Sequence, residues 1–124
     1  MSWNAFLPPV EQVSTGSAII AKTGAHCGHK GSWNATPAEE VNFSNILKTP
    51  YKYIGKALTY NRKKYIIVRA SNEMILAVKP YERIMFKQFK SVFVCAHFST
   101  DNGQYPELVS RKIDNVITLL ENSL

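Results

Sequence analysis

Short apolar segments follow one another closely through the middle of the chain and predict a run of antiparallel strands. At most four residues separate one segment from the next. Parallel strands need connections of about a dozen residues or more, so these connections predict hairpins. The segments, in order, are ALTY (57–60), YIIVRA (65–70), MILAVK (74–79), RIMFKQF (83–89) and SVFVCAHF (91–98).

Two of these segments are almost wholly apolar. YIIVRA and SVFVCAHF lack the alternation of a strand with one exposed face, so we expect both in the middle of a sheet with both faces covered. The polar segment NRKK (61–64) before YIIVRA predicts a turn.

Further strands are predicted nearer the N-terminus. SAIIAK (17–22) is a short apolar run bounded by Gly16 and Gly24, which suits a buried strand. The glycine-rich segment GAHCGHKGSWNAT (24–36) follows and predicts a hairpin turn and a second strand.

Two helices are predicted from capping and periodicity. Thr36 can cap a helix that begins at Pro37, Glu39 completes a capping box, and the helix is expected to end near Leu47. Its apolar residues are Val41, Phe43, Ile46 and Leu47. After Pro106 a second, amphipathic helix is predicted from apolar residues at helical spacing. They are Val109, Ile113, Val116, Ile117 and Leu120.

The first residues predict one short helical turn. Trp3 and Phe6 would share a face of this turn, and Pro8 and Pro9 stop it from continuing. The predicted fold class is therefore α+β, with a central antiparallel sheet covered by the terminal elements on one face and by smaller helices on the other.

Length and composition are those of one globular domain, residues 1–124, with 45% apolar and 19% charged residues. We expect a cytoplasmic location, because no apolar run reaches about 20 residues and the N-terminus has no signal-peptide pattern. Both cysteines, Cys27 and Cys95, are expected to be free, and Cys95 is expected in the core.

Positive charge is concentrated in the middle of the chain. The net charge is +6, yet residues 48–90 hold eleven Lys or Arg against only Glu73 and Glu82. Such a surface suits an acidic partner or phosphates as well as it suits plain solvation, and charge alone does not choose between protein, lipid and nucleic acid.

The sequence offers little catalytic chemistry. His26, Cys27 and His29 could ligate a metal, but we interpret them as polar residues of a glycine-rich turn, since no second ligand pair stands at suitable spacing. His97 and Asp101 lack an activated nucleophile, and we expect His97 to be solvated at a hairpin end. No enzymatic activity, cofactor or metal is expected.

Segments along the whole chain, taken in order, resemble the profilin family. They are MSWNAF (1–6), SAII (17–20), GSWNAT (31–36), KKYIIVRA (63–70) and SVFVCAHF (91–98). The resemblance implies a central antiparallel sheet of about six strands, with the N- and C-terminal helices on one face and smaller helices on the other.

The resemblance also implies a function. Profilins are non-enzymatic proteins that bind monomeric actin, act on its nucleotide exchange and deliver it to growing filament ends. Many bind proline-rich segments of formin-like assembly factors, and acidic phosphoinositides that compete with these partners. We expect a monomer in the cytoplasm and cytoskeleton.

Two sets of site residues are implied by position. The actin-binding set comprises Arg69, Lys79, Lys87, Lys90, Asn102, Gly103, Glu107 and Arg111. The proline-binding groove would use Trp3, Phe6 in place of a typical tyrosine, and Trp33 as the tryptophan of the second strand. The terminal helix lacks the family's aromatic residues and would contribute Leu120 and Leu124. As an alternative, Trp3, Phe6 and Trp33 simply cap the core.

Two other functions remain open at this point. One is a sensor or scaffold domain that shares only the profilin shape and does not bind actin. The other is a basic nucleic-acid-binding module, suggested by the charge of residues 48–90, although the tyrosines there fit no recognisable RNA-binding motif.

Overall fold

The structure, a computed structural model, describes residues 10, 14–90, 92–99 and 106–123, and of residues 106 and 116–123 the backbone alone. Seven strands of this part of the chain form one antiparallel sheet in the order β2-β1-β7-β6-β5-β4-β3. The predicted sheet is confirmed, with one strand more than the approximate number expected. The strands are β1 (Gly16–Ala21), β2 (His26–Gly31), β3 (Ala57–Tyr60), β4 (Lys63–Ala70), β5 (Met74–Lys79), β6 (Glu82–Gln88) and β7 (Val92–Ser99).

Helices cover the two faces of the sheet. Helix α1 is Pro37–Lys48, a short 3₁₀ helix is Pro50–Tyr53, and helix α2 is Pro106–Ser123. The predicted capping box is confirmed at the start of α1. The Thr36 hydroxyl accepts the amide of Glu39 at 3.1 Å, and the Glu39 carboxylate accepts the amide of Thr36 at 2.9 Å.

The core has one layer on each side of the sheet. Successive side chains of β7 point alternately to one layer and to the other. Val94 and Phe98 lie in the cluster that contains Val109 and Ile113 of α2, and we call this side the α2 face. The intervening Cys95 is fully buried, as predicted, in the cluster formed with α1, which we call the α1 face. Val10 joins the cluster of the α2 face, whereas Trp3 and Phe6 lie outside the described residues.

The expectation that both faces of YIIVRA are covered is wrong. This segment lies in β4, next to the edge strand β3, and Ile66 and Val68 are 45% and 47% exposed. Tyr65 and Ile67 are buried on the α1 face. The described part of SVFVCAHF, residues 92–98, is by contrast buried on both faces in β7, an interior strand of the sheet, as predicted.

The turn between β3 and β4 is tighter than the predicted four residues. Asn61 and Arg62 alone form it, with φ angles of 51° and 63°, and Lys63 already belongs to β4. Two residues of positive φ match the right-handed twist of the flanking strands, which is why such turns dominate short hairpins. The carboxylate of Glu39 accepts the amides of Asn61 and Arg62 at 2.9 Å and 2.8 Å.

The interpretation of His26, Cys27 and His29 as turn residues is also wrong. The turn between β1 and β2 ends at Ala25, and all three residues belong to β2. Gly24, at a φ of 95°, supplies the left-handed conformation that this turn needs.

Candidate functional site

A cleft of about 310 Å³ lies between the α2 face of the sheet and the start of α2. It is lined by Arg69, Glu107 and Arg111, three of the residues implied by the resemblance. Arg69 reaches it because of a bulge in β4. Ile67 pairs with Ala77 and Arg69 with Leu76, so one extra residue, Val68, turns Arg69 to the α2 face.

A second cleft, of about 420 Å³, adjoins the first. Lys87 and Lys90 line it, and Asp114 of α2 lines both clefts. The Nζ of Lys87 lies 2.7 Å from the Asp114 carboxylate, which ties β6 to α2. Five of the eight residues expected to bind actin therefore border two neighbouring clefts.

Apolar side chains border this basic region. Ile66 and Val68 of β4 and Leu108 of α2 are large, apolar and exposed. Ile66 lines a third cleft together with Tyr81, which is 68% exposed. We call the region formed by the three clefts and these exposed side chains the β4–β6 surface.

The other expected actin-binding residues lie apart or outside the description. Lys79 is separated from the first two clefts and lines the third, beside Tyr81. Its Nζ donates to Glu82 at 2.7 Å, and this hydrogen bond lowers the pKa of the Glu82 carboxyl. Asn102 and Gly103 lie outside the described residues.

His97 is not solvated, contrary to the sequence expectation. The residue is 9% exposed, and its ring stacks on Tyr60 at a centroid distance of 4.9 Å. Its Nε2 lies 3.2 Å from the Tyr65 hydroxyl and 3.2 Å from a carboxylate oxygen of Glu82, and burial lowers the pKa of the imidazole. Tyr60 belongs to β3, four places from β7 in the sheet, so the sheet curls around the α1 face and encloses the ring.

Trp33 lies away from α2. It follows the end of β2 and packs on the α1 face against Phe43 and Tyr60, with 8% of its surface exposed. Its indole Nε1 donates to the Glu40 carboxylate at 3.0 Å. Cys27 of β2, by contrast, packs against the cluster of the α2 face. The structure thus does not bring Trp33 to the face of the terminal helix.

The side chains of the other residues expected to bind proline-rich segments lie outside the described part of the chain. Leu120 belongs to α2, where the backbone alone is described, and Leu124 lies outside the description, as do Trp3 and Phe6.

The sequence did not predict the two bulges, one in β4 and one in the pair of β1 and β2, because no residue type marks them. Within residues 14–90 and 92–99 and the described part of α2, no three His, Cys, Asp or Glu side chains are grouped to hold a metal ion. No described helix is long and apolar enough to span a membrane.

Comparison with known protein families gives one match over almost the whole chain. The model of the family described as Profilin matches residues 1–123. No curated protein sequence matches the chain.

Solved structures share the fold at low sequence identity. Profilin of Schizosaccharomyces pombe superposes with a TM-score of 0.85 and 18% identity over 98% of both chains. LokiProfilin1, solved in complex with rabbit actin, has a TM-score of 0.74 and 18% identity over 98% of this chain and 92% of its own. Mouse profilin IIa, solved with a double repeat from the FH1 domain of mDia1, has a TM-score of 0.71 and 15% identity over 99% of both chains.

Proposed function

Because this chain belongs to the profilin family, we propose that it binds monomeric actin through the β4–β6 surface. The observation that carries the proposal is the meeting of Arg69, Glu107 and Arg111 at one cleft, beside the cleft of Lys87 and Lys90. Three separate elements, β4, β6 and α2, contribute four of these side chains, and the connection after β6 contributes Lys90.

The chemistry of this surface suits a large, acidic protein partner. Ile66 and Val68 can lose water on binding, and that loss drives protein association. The surrounding cations steer an acidic surface into place, which raises the association rate more than the final affinity. LokiProfilin1 has been solved with rabbit actin, and the common fold supports the same use here.

In solution this binding would regulate filament assembly by holding monomers, by changing nucleotide exchange on them and by delivering them to filament ends. The proposed role is non-catalytic and requires no cofactor.

The proposal is tested by reversing charge in the cleft. Arg69→Glu combined with Arg111→Glu should weaken binding to actin monomers by more than tenfold, which corresponds to a loss of about 1.4 kcal/mol or more. Isothermal titration against monomeric actin measures the affinity, and filament assembly assays report the consequence. Lys48→Glu combined with Lys52→Glu is the matched control, because it reverses the same number of charges at two exposed lysines that lie outside the β4–β6 surface, at the end of α1 and in the 3₁₀ helix.

Equal loss in the control variant would show that net charge matters and the cleft does not. Absence of actin binding by the parent protein would contradict the proposal and favour the scaffold alternative.

We further propose that a proline-rich segment, of the kind solved with mouse profilin IIa, binds this chain without Trp33. Trp33 is buried on the α1 face, so it offers no open ring for stacking beside α2. Titration with a proline-rich peptide should give the same affinity for the parent and for Trp33→Phe. A much lower peptide affinity in Trp33→Phe would contradict this proposal and show that Trp33 belongs to the proline-binding groove.

Acidic phosphoinositides are a third proposed partner, supported by the cations of the β4–β6 surface. Binding to vesicles that contain these lipids should fall steeply as salt rises, because phosphate contacts between exposed charges are screened. Co-sedimentation that ignores both anionic lipid and salt would contradict this proposal.

A further inference from the structure

A bulge in the β1–β2 pair places two histidines on one face of β2. Ile20 pairs with His26, Ile19 with Gly28 and Ala18 with His29, so Cys27 is the extra residue. In a regular strand, the side chains of residues three apart point to opposite faces. The extra residue of the bulge shifts the alternation by one, so that residues 26 and 29 point to the same face. His26 and His29 therefore both lie on the α1 face.

The first histidine is held in a fixed orientation by a buried carboxylate. Nδ1 of His26 lies 2.9 Å and 3.2 Å from the two oxygens of Glu40. Glu40 is 4% exposed and also accepts the indole N–H of Trp33 at 3.0 Å. A carboxylate can only accept, so Nδ1 of His26 carries a hydrogen, and in the neutral ring Nε2 then directs a lone pair away from Glu40.

The second histidine meets that lone pair. His26 Nε2 and His29 Nδ1 are 2.9 Å apart, with ring centroids 5.0 Å apart. Two metal–nitrogen bonds of about 2.0–2.1 Å hold their nitrogens about 2.9 Å apart at a right angle and about 3.4 Å apart at the tetrahedral angle. A small rotation of these exposed rings directs both nitrogens at one ion.

We propose that His26 and His29 chelate a divalent transition-metal ion, with Glu40 as the outer partner that orients His26. Imidazole pairs suit Cu²⁺, Ni²⁺ and Zn²⁺, and the general order of affinities puts Cu²⁺ first. The hydrogen between the rings moves from Nδ1 to Nε2 of His29, so the neutral ring stays neutral. Water supplies the remaining ligands, because the pair faces solvent.

The arrangement matches the way proteins support metal-bound histidines. A ligating histidine almost always donates its other N–H to a carboxylate or carbonyl, as His26 does to Glu40. This metal site is independent of the proposed actin binding, which uses the opposite face of the sheet.

Calorimetric titration with Cu²⁺, carried out on a Cys27→Ser background that removes the neighbouring thiol, tests the proposal. One ion should bind per chain, with an electron paramagnetic resonance spectrum that shows two coordinated nitrogens. His29→Asn should remove the second nitrogen and most of the affinity. Glu40→Gln should weaken binding about 10–100-fold while both nitrogens stay bound, as expected for an outer partner.

Lys30→Gln is the control, since it changes the next residue of β2 and leaves both imidazoles in place. Circular dichroism establishes that each variant is folded. An affinity for Cu²⁺ that is the same in the parent and in His29→Asn would overturn the proposal, because the ion would then bind elsewhere. Loss of actin binding by any of these variants is not expected.

Discussion

The carboxylate of Glu39 accepts the backbone amide of Arg62 at 2.8 Å and so joins the first turn of α1 to the hairpin between β3 and β4. The same buried carboxylate caps its own helix through the amide of Thr36 and accepts the amide of Asn61. One side chain therefore satisfies three backbone donors from two distant parts of the chain.

Glu39→Ala should lower the free energy of unfolding by about 2–4 kcal/mol, because three amides lose a charged acceptor in a buried place. Chemical denaturation measures the change. Glu73→Ala removes an exposed carboxylate and should stay within about 0.5 kcal/mol of the parent. Equal effects in the two variants would mean that the Glu39 contacts contribute nothing specific.

Arg62→Gly should raise the free energy of unfolding by up to about 1 kcal/mol. Arg62 has a φ of 63°, a conformation that costs a residue with a Cβ about 1–2 kcal/mol and costs glycine almost nothing. Part of this gain is offset because glycine gives the unfolded chain more conformational entropy. The amide bond to Glu39 is kept. Arg62→Ala is the control: it removes the same side chain but keeps the strained backbone, and it should not stabilise the protein.

Trp33→Ala should lower the free energy of unfolding by about 3–5 kcal/mol, as expected for a large aromatic ring removed from a core. Trp33→Phe keeps most of the ring but leaves the Glu40 carboxylate without the indole donor, at a cost of about 1–3 kcal/mol. Thermal or urea unfolding distinguishes the two. A Trp33→Ala protein as stable as the parent would contradict the core position of this ring.

Stability should fall as the pH is lowered through the ordinary pKa of histidine. Burial lowers the pKa of His97 from 6.5, so the unfolded chain takes up this proton before the folded protein does. The contribution of His97 to the free energy of unfolding is fully present above pH 6.5. It is lost as the pH falls from 6.5 to the pKa of His97 in the folded protein, by at most about 1.4 kcal/mol for each pH unit.

Urea unfolding at about pH 7.5 and about pH 5.5 measures this loss, and His97→Gln should reduce it. Glu82, whose pKa is lowered from 4.5, loses its own contribution only at lower pH and does not interfere. The same pH dependence in parent and variant would show that His97 is not the group responsible.

Local sequence was sufficient to predict the elements that local forces determine. The capping residues Thr36 and Glu39 predicted the start of α1, and short polar connections predicted an antiparallel sheet. The apolar run in β7 predicted its central place, which pairing with β1 and β6 confirms.

Features that depend on distant parts of the chain were not predictable. YIIVRA has the composition of a buried strand, but the folded sheet leaves its residues Ile66 and Val68 exposed. His97 is enclosed because the sheet curls and brings Tyr60 over it. Resemblance implied Arg69 as an actin-binding residue, but its orientation toward the α2 face rests on a bulge at Val68 that composition does not reveal.

The strand order has a consequence for the synthesis of the protein on the ribosome. Strands β3 to β6 each pair with a neighbour in sequence and can assemble as soon as they emerge. The hairpin of β1 and β2 is made first, yet its link to the sheet is β7, the last strand to be made. Until then β1 presents an open edge to other chains. Joining this first hairpin to the last strand is a contact of long sequence separation, and we expect it to limit the rate at which the nascent protein completes its fold.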